Sequence, residues 1–237
     1  MQPKRISTVV FDAVGTLIYP EPGVAQAYTA VGRRFGSKLT QPEVARRFRA
    51  VFAAVEARDR AGDLRTNEDI ELGRWQHIVR HVLDDVRDYT GCFNELWGHF
   101  ARPSSWRVFP DVPSSLATLA SRGVRLAIAS NFDQRLLEIA RHIDSIRICG
   151  PVLVSSQLGY RKPHRQFFEA IRETLGVESQ SVLYVGDDPE NDITAASGAG
   201  FQALLMRRHG AAGPGEAESL TQLLDIAGSL ESNSRDA

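Results

Sequence analysis

Beyond Pro110 the chain alternates short apolar runs with helix-forming stretches, and this alternation limits its fold more than any other feature. In order come the helix PSSLATLASRG, the strand VRLAIAS, the helix DQRLLEIARHI, the strand PVLVS, the helix HRQFFEAIRETLG, the strand SVLYVGD, the helix ENDITAASGAG and the strand FQALLM. Strands that are apolar along their whole length, each separated from the next by a helix, predict a parallel sheet covered on both faces. One more apolar strand, in VVFDAVGTL near the N-terminus, delivers Asp12 into a turn containing Gly15 and Thr16.

After Leu17 the sequence turns through Tyr19-Pro20-Glu21-Pro22-Gly23, and from Val24 to about Ala101 it has helical periodicity only. VAQAYTAVGRRF, then PEVARRFRAVFAAVEARDR with Thr40 as its N-cap, then NEDIELGRWQHIVRHVLDDV and CFNELWGHF predict four amphipathic helices. The expected organisation is an α/β domain, residues 1–20 and 102–237, interrupted after its first strand by a helical block, residues 21–101. A segment rich in Gly and Ala, His209 to Glu216, leads to a last short helix, ESLTQLLDIAG, and the polar end SLESNSRDA is expected to fray.

Charge narrows the function classes. With 28 Lys+Arg against 29 Asp+Glu, binding to nucleic acid or a membrane surface through bulk charge is excluded. The positive charge is almost all arginine; Lys4, Lys38 and Lys162 are the lysines, which makes each worth inspection. Cys92 and Cys149 form no CxxC and indicate neither a disulfide framework nor a zinc site. No run approaches the ~18–20 apolar residues of a membrane span, and MQPKRISTVVF lacks the apolar core of a signal peptide. The expectation is a cytoplasmic protein with a small-molecule substrate and no nucleic-acid or membrane partner. Its oligomeric state is left open.

In a parallel sheet all strands point their C-terminal ends the same way, and ligand chemistry collects in the crevice there. Asp12 follows the first strand, Ser130-Asn131 ends another, Gly159-Tyr160-Arg161-Lys162-Pro163 follows a third, and Gly186-Asp187-Asp188 a fourth, with Asp192 five positions after Asp187. Each alone is ordinary turn chemistry. Their joint order is the strong signal.

With DAVGTL, IASNFD, GYRKP and VGDDPEND in that order, the chain resembles the haloacid dehalogenase (HAD) superfamily, in the subgroup whose helical cap is inserted after the first motif. The resemblance extends over nearly the whole chain and implies a Rossmann-like HAD core with an inserted α-helical cap, and a hydrolase. It implies Asp12 as the nucleophile that forms an aspartyl-phosphate, and Lys162 as a point charge between nucleophile and phosphate. Ser130, Asn131 with a backbone amide, and Thr16 would contact phosphate oxygens. Asp12, Asp187, Asp192 and the backbone carbonyl of Val14 would hold Mg²⁺. Elementary electrostatics agrees: three carboxylates gathered at one sheet edge cannot all stay ionised without a cation, and a proton on Asp12 would abolish its nucleophilicity.

Val14 departs from the family's phosphatase pattern, which keeps a second aspartate there to protonate the leaving group. Valine keeps the carbonyl and loses the acid. The implied activity is therefore a Mg²⁺-dependent phosphatase, slow on activated esters and nearly inert on sugar phosphates. Two alternatives stand beside it: a catalytically silent phosphate-binding protein, and a 2-haloacid dehalogenase, whose halide leaves without a proton. Asp133, Asp188 and Glu21 are conceivable substitute acids, but N-cap, turn and solvated-hinge roles are expected of them. Lys38, in FGSKLT, is expected in a connecting loop; Trp75, Trp97 and Trp106 are expected to anchor the cap and hinge rather than stack a substrate. His77 and His81 lack a third metal ligand.

Overall fold

The computed structural model of the chain describes residues 6–224. The polar end SLESNSRDA and the close of the last helix lie outside the described residues. In chain order the elements are β1 (Thr8–Phe11), β2 (Ile18–Pro20), α1 (Val24–Arg34), α2 (Gln41–Ala61), α3 (Glu68–Val82), α4 (Tyr89–Ala101), β3 (Trp106–Val108), α5 (Val112–Ser121), β4 (Arg125–Ser130) and α6 (Arg135–His142). Then follow β5 (Val152–Val154), α7 (Ser155–Leu158), α8 (Arg165–Leu175), β6 (Val182–Gly186), a π-helical turn (Pro189–Thr194), α9 (Ala195–Gly198), β7 (Gln202–Met206) and β8 (Glu216–Ala217).

Among the described residues the main sheet has the order β5-β4-β1-β6-β7-β8, and every pairing in it is parallel. The two-residue side-chain period of a strand divides its apolar residues between two cores. On one face Val9 and Phe11 of β1, Leu126 and Ile128 of β4, and Leu183 and Val185 of β6 pack with α5 and α6. On the other, Val10, Ala127, Ala129 and Tyr184 pack with Phe167, Phe168 and Ile171 of α8. This is why the strands read as continuous apolar runs: neither face meets water. The architecture is the Rossmann-like α/β fold expected from the sequence, and no helix of the described residues is long and apolar enough to cross a membrane.

Helices α1–α4 bury a separate cluster, including Tyr28, Val31, Val44, Ile78, Val82 and Leu96. The second opens with a capping box in which the Thr40 N–H donates to Glu43 at 2.8 Å. The fourth begins at Tyr89, three residues before the predicted start, because Asp88 accepts from the Gly91 N–H at 2.9 Å and caps it.

Three features escaped the periodicity. β2 and β3 pair antiparallel where the chain enters and leaves the helical block, with Pro20 opposite Trp106 and Ile18 opposite Val108; runs of three residues carry no readable alternation. A second junction joins the α2–α3 loop to residues 159–161, through Thr66 N–H to Gly159 O at 3.0 Å and Arg161 N–H to Leu64 O at 2.9 Å. And ENDITAASGAG begins as a π turn before it becomes helical, a geometry common at functional sites.

Candidate active site

The sheet register sets the site. Phe11 lies level with Ile128 on one side and Val185 on the other, so the residues just beyond the ends of β1, β4 and β6 converge. Asp12 is tied to the neighbouring strand by its N–H, which donates to Val185 O at 2.8 Å. Two glycines permit the close approach. Gly15 has φ +87°, and a Cβ there would run into the Asp187 carboxylate; a Cβ at Gly186 would run into Asp192.

Lys162 reaches into this corner from the segment after α7. Its main chain is clamped by Asn131: the Lys162 N–H donates to Asn131 Oδ1 at 2.7 Å, and Asn131 Nδ2 donates to Lys162 O at 3.1 Å. The buried Nζ donates to Asp12 Oδ1 at 2.7 Å, Asp192 Oδ1 at 2.6 Å and Tyr184 Oη at 3.0 Å, using all three of its hydrogens. The Tyr184 hydroxyl in turn donates a hydrogen bond to Ala129 O at 2.7 Å. Burial acts to discharge Lys162, but Asp12 and then Asp192 reverse it and hold the pKa well above the ordinary lysine value.

One ligand oxygen from each of Asp12, Asp187 and Asp192 lies within 4.8 Å of the others. Asp192 also accepts from the Asp188 N–H at 3.0 Å. Against three carboxylates stands one ammonium. Burial, followed by repulsion from Asp12 and Asp192, drives Asp187 up to about 7, although it is the most open of the three. Burial and Asp12 likewise raise Asp192, with Lys162 opposing. Such uncompensated negative charge, carried by oxygen donors only, fits a hard divalent cation.

The other predicted residues divide. Ser130 is buried and lines the cavity over the cluster. Asn131 lines it too, but its side-chain amide is spent on Lys162, so a phosphate contact there would fall to its backbone N–H. Thr16 is fully buried, its Oγ1 has no partner among the described residues, and it is not part of the cavity wall. Val14 faces the cavity. Of the substitute acids, Asp133 grips Arg135 in a bidentate pair at 2.8 and 2.7 Å and accepts the Arg135 N–H at 3.1 Å. Asp188 accepts from the N–H groups of Glu190 and Asn191, each at 2.9 Å, as N-cap of the π turn. Glu21 is exposed. Lys38 lies exposed between α1 and α2, away from the cavity.

The cavity of ≈ 440 Å³ runs from the carboxylates to α2 and α3. Its far wall was missed by sequence reasoning. Trp75 and Trp106 pack in the helical and sheet cores as the anchor expectation has it, and both also face this space together with Phe48 and Phe52; the Phe pair four residues apart on one helix is the signal that could have found the wall. Arg161 bridges across to Glu71 of α3 and, at 3.2 Å, to Glu56 of α2. Arg74 pairs with the same Glu56, and with Asp59 at 2.8 Å. Nothing in a single helix pattern announces ion pairs formed across so many intervening residues.

The family model for haloacid dehalogenase-like hydrolases matches residues 6–200. Haloacid dehalogenase-like hydrolase domain-containing protein 3 of Danio rerio is 25% identical over 84% of this chain and 84% of its own length. Glyceraldehyde 3-phosphate phosphatase of Methanothermobacter thermautotrophicus is 30% identical over 54% of this chain and 58% of its own. The solved structure of an L-2-haloacid dehalogenase superposes with TM-score 0.75 at 19% identity, covering 95% of this chain and 100% of that one.

Proposed function

The chain belongs to the haloacid dehalogenase-like hydrolase family, and we propose that within it this protein is a Mg²⁺-dependent phosphatase acting through an aspartyl-phosphate on Asp12. The observation that carries the reading is the meeting of Asp12, Asp187 and Asp192 beside the ammonium of Lys162. We further propose residues 1–20 and 102–237 as the core and 21–101 as the cap that selects the substrate.

Asp12, Asp187, Asp192 and the carbonyl of Val14 would hold the ion. Bound Mg²⁺ supplies charge that offsets the phosphate and the carboxylates together. Lys162 fixes Asp12 through Oδ1, which would leave the other carboxylate oxygen to attack phosphorus. In the first step the Asp12 oxygen–phosphorus bond forms and the ester P–O bond breaks, the leaving oxygen keeping the electron pair. Ser130 and the Asn131 N–H would receive the phosphoryl oxygens. Water then hydrolyses the acyl phosphate and restores Asp12. No side chain at position 14 can give the leaving oxygen a proton, so esters of acidic alcohols, acyl phosphates and anhydrides are favoured. Val14 also favours the second reading, a silent phosphate binder, in which Asp12 is phosphorylated and stays so.

Assay of p-nitrophenyl phosphate separates the readings. Slow multiple turnovers that require Mg²⁺, stop with EDTA and vanish in Asp12→Asn support the phosphatase. A burst of one equivalent that then stalls supports the binder. Turnover of 2-haloacids without metal would replace both.

Proton and ion compete for Asp187, so pH gives a second check. Its folded pKa, raised from 3.8 to about 7, means that this group's contribution to metal-free stability is complete below pH ~4 and is lost as pH rises toward 7. Mg²⁺ relieves the charge left above that point. The gain in Tm on adding MgCl₂ is therefore expected to be larger at pH 8 than at pH 5.5; an equal gain at both would remove Asp187 from the ion's ligands.

A further inference from the structure

The cavity beyond the phosphate corner has a wall that the hydrolytic chemistry does not use. From Trp75 through Phe52, Phe48, Tyr28 and Phe100 to Trp106, consecutive ring centroids lie 6.3, 5.6, 5.4, 6.2 and 6.1 Å apart, and all six residues line the space. Phe48 and Phe52 are stacked at 18°, while Tyr28 meets Phe48 edge-on at 76°. A planar guest finds both stacking and edge contacts in such a lining.

The cations around the same space are already committed. Arg60 pairs with Glu190, Arg74 with Glu56 and Asp59, Arg135 with Asp133, and Arg161 with Glu71 and Glu56. A second anionic group that displaced Glu71 from Arg161 or Asp133 from Arg135 would strand a buried carboxylate; the Arg60–Glu190 pair is exposed and adds nothing to this barrier. A polyol would bury hydroxyls against Phe48, Phe52 and Phe100, rings that offer them no partner.

We propose, on the basis of the phosphatase reading above, that the cap-side cavity is a subsite for an uncharged aromatic group, and that the substrate class is a phosphate monoester or acyl phosphate carrying one. The volume agrees: a cavity of ~150 Å³ takes a benzene ring, and ≈ 440 Å³ leaves room for a ring or two beside the phosphoryl group. It also accords with Val14, since aryl and aroyl leaving groups depart without a proton, but the two arguments are independent: one concerns binding and the other bond breaking.

Non-hydrolysable phosphonates isolate the binding term. With Mg²⁺ present, phenylphosphonate is expected to bind the intact protein at least about tenfold tighter than methylphosphonate, and tighter by a similar factor than 4-carboxyphenylphosphonate. Phe52→Ala should narrow the phenyl-to-methyl ratio while leaving methylphosphonate affinity unchanged; Trp75→Leu serves if the first variant does not fold. Equal affinity for phenyl and methyl compounds in the unmodified protein, with Mg²⁺-dependent binding of both, overturns the aromatic subsite and leaves the phosphatase reading standing. Failure of both compounds and of inorganic phosphate to bind overturns the two together. Benzoyl phosphate against acetyl phosphate, whose leaving acids are of similar strength, should show the same preference in kcat/KM.

Discussion

Val14→Asp is expected to raise hydrolysis of alkyl phosphates by about 10²- to 10⁴-fold, the usual contribution of a positioned general acid, with a much smaller change for p-nitrophenyl phosphate. The position suits the role. Residue 14 faces the cavity two residues beyond Asp12, and the turn is held by Gly15 N–H to Ile18 O at 2.8 Å. A new carboxyl there would join Asp12, Asp187 and Asp192, where burial, followed by repulsion from Asp12 and Asp192, already raises Asp187 to about 7. In its protonated form an aspartic acid at 14 would donate to the leaving oxygen, the step that valine cannot perform. The measurement is kcat on a series of phosphate esters ordered by the acidity of the leaving alcohol. In the unmodified protein log kcat should fall steeply along that series, and in the variant the slope should flatten. Identical slopes, in a variant that folds and binds Mg²⁺, would show that leaving-group protonation does not limit this enzyme.

Lys162→Met is expected to have the largest effect on stability, about 3–5 kcal/mol at neutral pH, typical of removing one partner from a buried ion pair. Methionine roughly fills the volume, so the loss is electrostatic: Asp12 and Asp192 lose their shared countercharge at 2.7 and 2.6 Å, and Tyr184 loses a donor. The sign of the pH dependence follows. Lys162 itself stays charged across the working range because its pKa is raised. Without it, Asp187 and Asp192, which Lys162 pulls down, move further up, and folded-state values above the unfolded ones give stability that is present at low pH and lost as pH rises through them. The gap between variant and parent in urea unfolding should therefore widen from pH 5.5 to pH 8, and Mg²⁺ should narrow it at pH 8. A gap independent of pH would mean that the ammonium serves packing and not charge balance.

The meeting of Asp12, Asp187, Asp192 and Lys162 at one sheet edge was legible in advance, and for a definite reason. Strands of a parallel sheet share a direction, so residues that follow Phe11, Ala129 and Gly186 must meet once the apolar runs are recognised as neighbours. Directional bookkeeping of this kind yields Asp12, Ser130 and Asp187 without any knowledge of side-chain conformation. Lys162 and Asp192 came from the spacing of the motifs, as did the glycines of the turns, whose need for open space is local. The departure at Val14 was equally plain, because it concerns one residue and its missing carboxyl.

What lay beyond the sequence depends on which surfaces face each other. The helical period shows that Phe48, Phe52 and Trp75 share apolar faces, but a face has no address: it packs against whatever the tertiary structure brings to it. Tyr184 reads as one more apolar strand residue until its hydroxyl is found beside Lys162. Arg161 looks like a neighbour of the important lysine until it is seen gripping Glu71 and Glu56. Sequence alone therefore determined the sheet, the order of its loops and the acids at its edge, since these follow from chain direction and short-range pattern. Only the folding of the helical block onto that edge decided the cavity, its aromatic wall and the ion pairs of Arg60 and Arg161 across it, because contacts between remote elements obey shape and electrostatics in three dimensions, which no one-dimensional period encodes.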